Sequence, residues 1–290
     1  MTTWISETLH PHYQQRFQVS TCLFEQGSAH QHVAIYETNT WGRVLMLDGV
    51  VQTTEKDEFI YHEMFAHVPC MTHTNPNSVL ILGGGDGGLL REVLKHQSVR
   101  EVVVVEIDPT VMEVCSTYLP NHAQGAWQDP RVTVVINDGC QFLQQSQQQF
   151  DLILSDSTDP IGPGASLFSG QFYRQALARL RPEGLLVTQN GVSFLQLEES
   201  KVTFQRLRAL TEFCGFYRAD VPTYIGGNMQ LAWASLRTNA ASVKLEVLQA
   251  RWASLNIQTR YYNPAVHHAA FALPEYVCQQ CQVATNEEIA

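Results

Sequence analysis

The first part of the chain alternates apolar and polar positions and is broken by short turns. The runs FQVSTCLF, HVAIYET and RVLMLDGVVQT are rich in β-branched and aromatic residues, and a period of two is typical of strands. Turn-forming residues separate these runs at positions 25–28, 38–42 and 48–49. The pattern predicts a small antiparallel β unit over residues 17–53.

The spacing of the apolar residues changes after residue 55. The apolar residues of EFIYHEMFAHVPC recur at spacings of three and four, as on one face of a helix, and a turn of Asn, Pro and Ser follows at residues 75–78. We therefore divide the chain into an N-terminal β-strand domain, residues 1–55, and a larger domain, residues 56–290.

Strand-sized apolar runs alternate with helical patterns through the larger domain. The predicted buried strands are SVLIL, EVVVVEID, RVTVVIND, FDLILSD and GLLVTQN, and the helical patterns fall around residues 88–97, 110–119, 139–147, 170–181 and 198–214. This alternation predicts an α/β fold with a mostly parallel sheet and helices on both faces. The runs FYRADVPTY and MQLAWASL predict an antiparallel hairpin on one sheet edge, followed by a last helix over about residues 242–255.

Composition narrows the class of protein. The 28 acidic residues outnumber the 18 basic ones, and the net charge of −10 disfavours nucleic acid as a partner. Apolar residues make up 44% of the chain, which suffices for a packed core. Since no apolar run approaches the roughly 18 residues of a membrane span, and MTTWISETLH lacks the features of a signal peptide, we expect a cytoplasmic protein.

The seven cysteines are scattered and odd in number, which favours reduced thiols over a disulfide framework. Cys278 and Cys281 form a C-x-x-C pair in a polar tail. Because no second pair and no paired histidines complete a zinc site, we interpret the pair as incidental and expect no metal.

A glycine-rich turn, GGGDGG at residues 83–88, follows the first predicted parallel strand. It satisfies the G-x-G-x-x-G fingerprint of dinucleotide sites, but the carboxylate of Asp86 would repel a pyrophosphate at that position. A turn that carries an acid suits a cationic ligand without phosphate, such as S-adenosylmethionine or its decarboxylated form. The alternative is an aspartate that only caps the following helix.

An acidic residue follows at the carboxyl end of each of the next predicted strands. Glu106 can accept the hydroxyls of a ribose, Asp138 beside Gly139 can accept from an adenine amino group, and Asp156 with Asp159 offers a site for a cation. An isolated acid in such a position is usually a helix cap. Because open α/β sheets bind ligands at this end, the succession predicts a nucleoside pocket.

The segments HQHVAIYE, LDGVVQTTEKDEFIYHEM, GGGDGG, VEID, DSTDPIGP and PTY resemble the polyamine aminopropyltransferases, and among them the bacterial spermidine synthases. The resemblance extends from Trp4 to the segment RYYNPAVHHAAFALPEY. It implies a class I methyltransferase-like, or Rossmann-like, fold and transfer of an aminopropyl group from decarboxylated S-adenosylmethionine to putrescine, which gives spermidine and methylthioadenosine. It also implies no cofactor beyond this co-substrate, and a homodimer or homotetramer, of which we favour the dimer.

The resemblance further implies roles for individual residues. One set would hold the nucleoside part of the donor: Gln31, Asp86, Glu106, Asp138, Gly139 and Pro163. A second set would bind the polyamine: Tyr61, His62, Asp86, Asp156, Asp159 and Tyr224. Within these sets Asp86 would hold the donor's amine, Asp156 would accept the proton and Asp159 would bind the far ammonium. His62 stands where some relatives have Gln.

Two other functions compete with this interpretation. The fold alone would suit a methyltransferase that uses S-adenosylmethionine, and Asp86 with the Asp156/Asp159 pair disfavours it. The same pocket could belong to a module that only binds polyamines or nucleosides, which the presence of both Asp156 and Tyr61 disfavours. The Gly- and Pro-rich loop at residues 159–170 either closes over the substrates or is a plain surface connection.

Overall fold

The N-terminal residues form an antiparallel sheet of five strands within the described part of the chain. A computed structural model describes residues 3–160 and 162–287, without the side chains of residue 163 and of residues 282–287. The strands are β1 (Thr3–Ser6), β2 (Arg16–Gly27), β3 (His32–Thr38), β4 (Gly42–Leu47) and β5 (Val50–Thr54). Each pairs with the next one along the chain, which confirms the predicted β unit. β1 was not predicted, because four residues are too few to show a period.

The larger domain is built on a mostly parallel sheet. Its strands are β6 (Ser78–Gly83), β7 (Glu101–Glu106), β8 (Val132–Ile136), β9 (Phe150–Asp156), β10 (Leu180–Val192), β11 (Phe213–Ala219) and β12 (Met229–Ser235). Their spatial order is β11-β12-β10-β9-β6-β7-β8. The pairs from β8 to β10 are parallel, and β11 and β12 form the antiparallel hairpin at one edge. The predicted fold class and edge hairpin are confirmed.

Helices cover both faces of this sheet. They are α1 (Glu58–Thr72), α2 (Gly88–Leu94), α3 (Pro109–Tyr118), α4 (Pro120–Ala123), α5 (Gly139–Gln145), α6 (Gly170–Ala178), α7 (Leu197–Arg208), α8 (Leu245–Ala253), α9 (Pro264–Ala270) and α10 (Glu275–Glu287). Short 3-10 helices lie at Ala126–Gln128, Gly162–Phe168 and Ala240–Ser242. No helix in the described ranges is long and apolar enough to cross a bilayer.

The prediction that a helix near residues 242–255 is the last one is wrong, because α9 and α10 follow it. The side chain of Asn263 caps α9 by accepting from the amides of Ala265 and Val266, so the Asn-Pro dipeptide starts a helix here. α10 has a polar sequence, and it packs along α7, where Gln280 Nε2 donates to Glu198 Oε1 at 3.1 Å.

Successive residues of the parallel strands point into different cores. Val79 and Ile81 of β6 lie in the core beneath α1 and α2, whereas Leu80 and Leu82 lie in the core beneath α6. Strands buried on both faces are therefore apolar at every position. A further cluster joins the two sheets, since Val33 and Ile35 of β3, with Leu45 of β4, pack against α3.

Candidate active site

A deep cavity opens where the carboxyl ends of β6, β7, β8 and β9 meet the N-terminal sheet. Leu45, Leu47 and Val51 form its wall on the side of the N-terminal sheet. The turn at residues 83–86 forms part of the opposite wall. Both sheets are therefore needed to enclose a ligand, and the cavity lies at the end of the parallel sheet where α/β proteins bind their ligands.

The residues predicted from the sequence converge on this cavity. Those that line it are Gln31, Tyr61, Asp86, Glu106, Asp138, Gly139, Asp156, Asp159 and Tyr224. His62 lies behind the wall and reaches Asp86. Pro163 belongs to the 3-10 helix Gly162–Phe168, but its side chain lies outside the described part of the structure. The roles of the individual residues stay predictions.

The glycine turn brings the ends of β6 and β9 together. Gly83 and Gly84 have positive φ angles of 83° and 70°, a conformation that residues with a side chain rarely adopt. A Cβ on Gly83 would lie 2.1 Å from the carbonyl oxygen of Asp156, and the amide of Gly84 donates to that oxygen at 3.0 Å. Only glycine allows this approach, which places Asp86 and Asp156 in one cavity.

Asp86 uses its two oxygens differently. Oδ1 accepts from the amide of Gly88 at 2.7 Å, and Oδ2 lies 3.5 Å from Nε2 of His62. Burial alone would raise the pKa of Asp86, but His62 outweighs that effect and holds the pKa well below its usual range. The carboxylate thus caps the helix start and is also a fixed anion at the cavity wall.

Asp156 has the properties of a proton acceptor. Tyr61 Oη donates to its Oδ1 at 2.7 Å. Burial raises the pKa of Asp156 to about 6, and the nearby carboxylate of Asp86 acts in the same direction. The Tyr61 ring packs edge-on against Tyr224, with ring centroids 5.7 Å apart. A carboxylate with a pKa close to neutrality is a better base than an ordinary aspartate.

Further acids lie beyond Asp156. Asp159 Oδ1 accepts from Gln196 Nε2 at 2.7 Å, and the same nitrogen donates to Glu199 at 3.1 Å. Glu7 is buried, and it accepts from the amide of Val51 at 3.1 Å. Burial raises the pKa of Asp159 and Glu7, and raises that of Glu199 to about 7. Glu7 and Gln196 line the cavity as well, and they were not predicted.

The opposite end of the cavity carries Glu106 and Asp138. Glu106 is the last residue of β7, its Oε1 accepts from the amide of Asp108 at 2.9 Å, and burial raises its pKa to about 7. Asp138 caps α5 by accepting from the amide of Gln141 at 2.9 Å. Gln31 Nε2 donates to Asp108 Oδ2 at 3.1 Å. The apolar side chains of residues 105, 107 and 167 lie between these polar groups.

The charged side chains among the described residues that line the cavity are all acidic. Six carboxylates line it: Glu7, Asp86, Glu106, Asp138, Asp156 and Asp159. No Lys, Arg or His side chain is among the described residues that line it. Within the same described ranges, no group of three or more His, Cys, Asp and Glu is arranged to hold a metal ion. An organic cation would offset this charge and replace the interactions with water that the buried carboxylates have lost.

The raised pKa values of the buried acids determine how the stability of the protein depends on pH. An acid whose pKa is higher in the folded than in the unfolded state keeps its proton longer when folded, so stability falls as pH rises between the two values. Glu106, Asp156 and Glu199 all behave in this way. Burial lowers the pKa of His96 and His267 to about 3, which acts in the opposite direction. We expect the acids to outweigh these histidines, so that Tm of the unliganded protein drops by roughly 5 °C between pH 5 and pH 8. Differential scanning calorimetry at pH 5 and at pH 8 measures this change in Tm.

Glu199→Gln removes one of these acids and should reduce the drop in Tm. The neighbouring exposed Glu198→Gln is the matched control and should leave it unchanged. A drop in Tm that is as large in Glu199→Gln as in the wild-type protein would contradict the account of the buried carboxylates.

The fold and the cavity define an α/β protein with an acidic cavity at the carboxyl ends of its parallel strands. Residues 58–245 match the spermine/spermidine synthase domain, and residues 3–55 match the spermidine synthase tetramerisation domain. The chain therefore belongs to the spermine/spermidine synthase family of polyamine aminopropyltransferases.

Individual relatives are similar over nearly the whole chain. Polyamine aminopropyltransferase 1 of Pseudomonas aeruginosa is 52% identical over 94% of this chain and 96% of its own length. A polyamine aminopropyltransferase of Klebsiella pneumoniae is 51% identical over 93% of this chain and 95% of its own length. A crystal structure of a spermidine synthase in complex with the transition state analogue AdoDATO superposes with a TM-score of 0.92 at 34% identity, and covers 97% of this chain and 95% of that one.

Proposed function

We propose that the protein is a spermidine synthase, which transfers an aminopropyl group from decarboxylated S-adenosylmethionine to putrescine. The observation that carries this proposal is the cavity lined by six carboxylates and by no cationic side chain among its described residues. The donor carries a sulfonium and an ammonium group, and the diamine enters as a cation. Each positive group has a carboxylate partner available, which strengthens binding in a site that excludes water.

The donor lies with its nucleoside between Glu106 and Asp138. Glu106 accepts the ribose hydroxyls, and Asp138 with Gly139 and Gln31 holds the base. Asp86 receives the amine of the aminopropyl group, and Pro163 contacts the nucleoside. The similar spermidine synthase in complex with the transition state analogue AdoDATO supports aminopropyl transfer on this fold.

The diamine lies between Tyr61 and Tyr224, with its far ammonium held by Asp159. Glu7 and Gln196 extend this acidic end, since Glu7 lines the cavity and Gln196 Nε2 lies 2.7 Å from Asp159 Oδ1. Gly164, Ser166 and Leu167 of the loop at residues 159–170 also line the cavity, which supports the expectation that this loop covers the substrates.

The reaction is a displacement at carbon. The neutral amine of putrescine forms a bond to the aminopropyl methylene that is attached to the sulfonium, the carbon–sulfur bond breaks, and its electron pair returns to sulfur to give methylthioadenosine. The new ammonium gives its proton to Asp156, whose other interaction, with Tyr61 Oη at 2.7 Å, fixes the carboxylate. Since the sulfonium already activates the carbon, positioning the two reactants is most of the task.

Both small molecules are substrates, and the reaction requires neither cofactor nor metal. We propose a homo-oligomer for the complete protein. The match of residues 3–55 to a tetramerisation domain supports a homotetramer over the homodimer favoured from sequence. The cytoplasm remains the proposed compartment.

Release of methylthioadenosine with different acceptors tests the function. With decarboxylated donor we expect putrescine to support turnover, and the rates with cadaverine and spermidine show which chain length the site accepts. Chromatography of the nucleoside product measures the rates side by side. Binding of donor and putrescine without release of methylthioadenosine would instead indicate a binding module and overturn the proposal.

A further inference from the structure

A row of alternating charges leads from the cavity wall through buried side chains to the partly exposed Lys95. His62 Nε2 lies 3.5 Å from Asp86 Oδ2, and its Nδ1 lies 2.6 Å from Glu58 Oε2. Arg91 continues the row, with Nη2 2.9 Å from Glu58 Oε2 and Nε 2.8 Å from Glu92 Oε1. In order, the members are Asp86, His62, Glu58, Arg91, Glu92 and Lys95.

The middle of this row is buried. The side chain of His62 is 2% exposed and that of Glu58 is 10% exposed. Glu58 is the first residue of α1 and His62 lies one turn later on the same helix, so the two side chains stack on one face. A Cβ on Gly88 would lie 2.3 Å from the His62 ring. The imidazole is thus packed against the backbone at the start of α2, which leaves it little freedom to turn.

Each nitrogen of the His62 ring faces a carboxylate. A neutral imidazole would present a lone pair to one of these anions, so the geometry favours a ring that carries both protons. Burial alone would lower the pKa of His62, but the carboxylates of Asp86 and Glu58 outweigh burial and raise it to about 10. The other groups around the ring are Tyr61, at a centroid distance of 5.5 Å, and His122 of α4, at 6.1 Å.

Neither of these neighbours replaces Glu58. Tyr61 is a neutral phenol, since burial raises its pKa well above the ordinary value. Burial lowers the pKa of His122, which keeps that ring neutral near pH 7. Arg91 is a cation, and its contact with Glu58 holds the carboxylate in place and helps to keep its pKa low, at about 2.

We propose that Glu58 is a positioning residue of the active site: it holds His62 as an imidazolium, and this fixed cation keeps Asp86 ionised and oriented toward the donor. The inference rests on the proposed function, in which Asp86 receives the amine of the donor. The cation also acts on the proton acceptor, because His62 lowers the pKa of Asp156 against the effect of burial. Loss of the charge on Glu58 therefore affects donor binding and the protonation of Asp156 together.

Glu58→Gln removes the charge while keeping the shape of the side chain. We expect KM for the decarboxylated donor to rise about tenfold. We also expect the acid limb of the kcat/KM profile to move upward by about one pH unit, because Asp156 loses a stabilising cation. The matched control is Glu92→Gln, which removes a more deeply buried charge of the same row, two members farther from His62 than Glu58 is. It should lower Tm without changing either quantity.

A double-mutant cycle with His62→Gln separates positioning from a general structural effect. Once His62 is replaced, the further change Glu58→Gln should alter donor KM by less than about twofold. Additive effects of the two changes, or equal effects of Glu58→Gln and Glu92→Gln on the pH profile, would overturn the proposal.

Nitrogen-15 NMR of the wild-type protein tests the same idea without any assay of turnover. The ring signal of His62, assigned by its loss in His62→Gln, should show both nitrogens protonated up to pH 8. A ring that loses a proton near pH 6.5 would overturn the proposal. Because this readout needs neither donor nor acceptor, its failure is distinct from a failure of the proposed aminopropyl transfer, which would leave the wild-type protein without turnover.

Discussion

Asp156→Asn is expected to lower kcat by about a hundred- to ten-thousandfold, while Kd for the decarboxylated donor changes by less than about threefold. Asparagine keeps the volume and can accept a hydrogen bond from Tyr61, but it cannot take the proton of the attacking amine. The ionised carboxylate is required, and burial raises the pKa of Asp156 to about 6, so wild-type kcat/KM should fall as pH drops below that value. Steady-state rates and calorimetric donor binding measure the two quantities.

The matched control for this change is Asp151→Asn at the other end of β9. Asp151 Oδ2 accepts from the amides of Asn77 and Ser78 at 2.8 and 2.9 Å and from Arg181 Nη1 at 2.8 Å. This variant should lose stability and keep its turnover when folded. Equal losses of turnover and of donor affinity in Asp156→Asn would show that Asp156 acts in binding and not in proton transfer.

Asp86→Asn is expected to reduce the preference for the decarboxylated donor over ordinary S-adenosylmethionine by about a hundredfold in the ratio of their Kd values. The carboxylate attracts the amine that both donors share and repels the carboxylate that only the ordinary donor retains. Because Oδ1 is engaged with Gly88 and Oδ2 faces His62, the anion stays fixed whichever donor enters. Titration calorimetry with each donor gives the ratio.

Asp138→Asn provides the comparison, since Asp138 lies in the same cavity at the end assigned to the nucleoside. This variant should weaken the binding of both donors by a similar factor and leave the ratio of their Kd values unchanged. If Asp86→Asn also weakens the binding of both donors equally, other residues select the decarboxylated donor and the role assigned to Asp86 is wrong.

The part of the fold that could be predicted is the part in which burial dictates composition. β6 and β7 are buried on both faces, so they are apolar between their terminal residues and visible as short runs. Acids that interrupt such runs at the carboxyl end stand out, and Glu106, Asp138 and Asp156 were found in this way. The helices α9 and α10 could not be predicted similarly, because one is short and the other is polar.

The remaining site residues depend on contacts that are distant in sequence. Glu7 follows a four-residue strand, and it enters the cavity only because the N-terminal sheet folds over the ends of the parallel strands. Its partner Gln15 also donates to the carbonyl of Thr223, 208 residues away. The spacing of Glu58 and His62 is visible in the sequence, but Arg91, which anchors Glu58, is 33 residues distant. Charged pairs of this kind leave no periodic signal.

Asp86 shows how two sequence interpretations can both describe one side chain. The alternatives were a cap for the helix start and an acid for a cationic ligand. In the structure Oδ1 accepts from the amide of Gly88, while Oδ2 faces His62 at the cavity wall. Using one oxygen as a cap fixes the carboxylate, which suits it to the proposed role of receiving the donor's amine.

The identity of the transferred group tests the central claim most directly. The protein is incubated with putrescine and decarboxylated S-adenosylmethionine, and in parallel with ordinary S-adenosylmethionine, and the products are identified by mass spectrometry. The account predicts spermidine and methylthioadenosine in equal amounts from the decarboxylated donor, and little product from the ordinary one. Methylated putrescine with S-adenosylhomocysteine from the ordinary donor would contradict it and identify a methyltransferase.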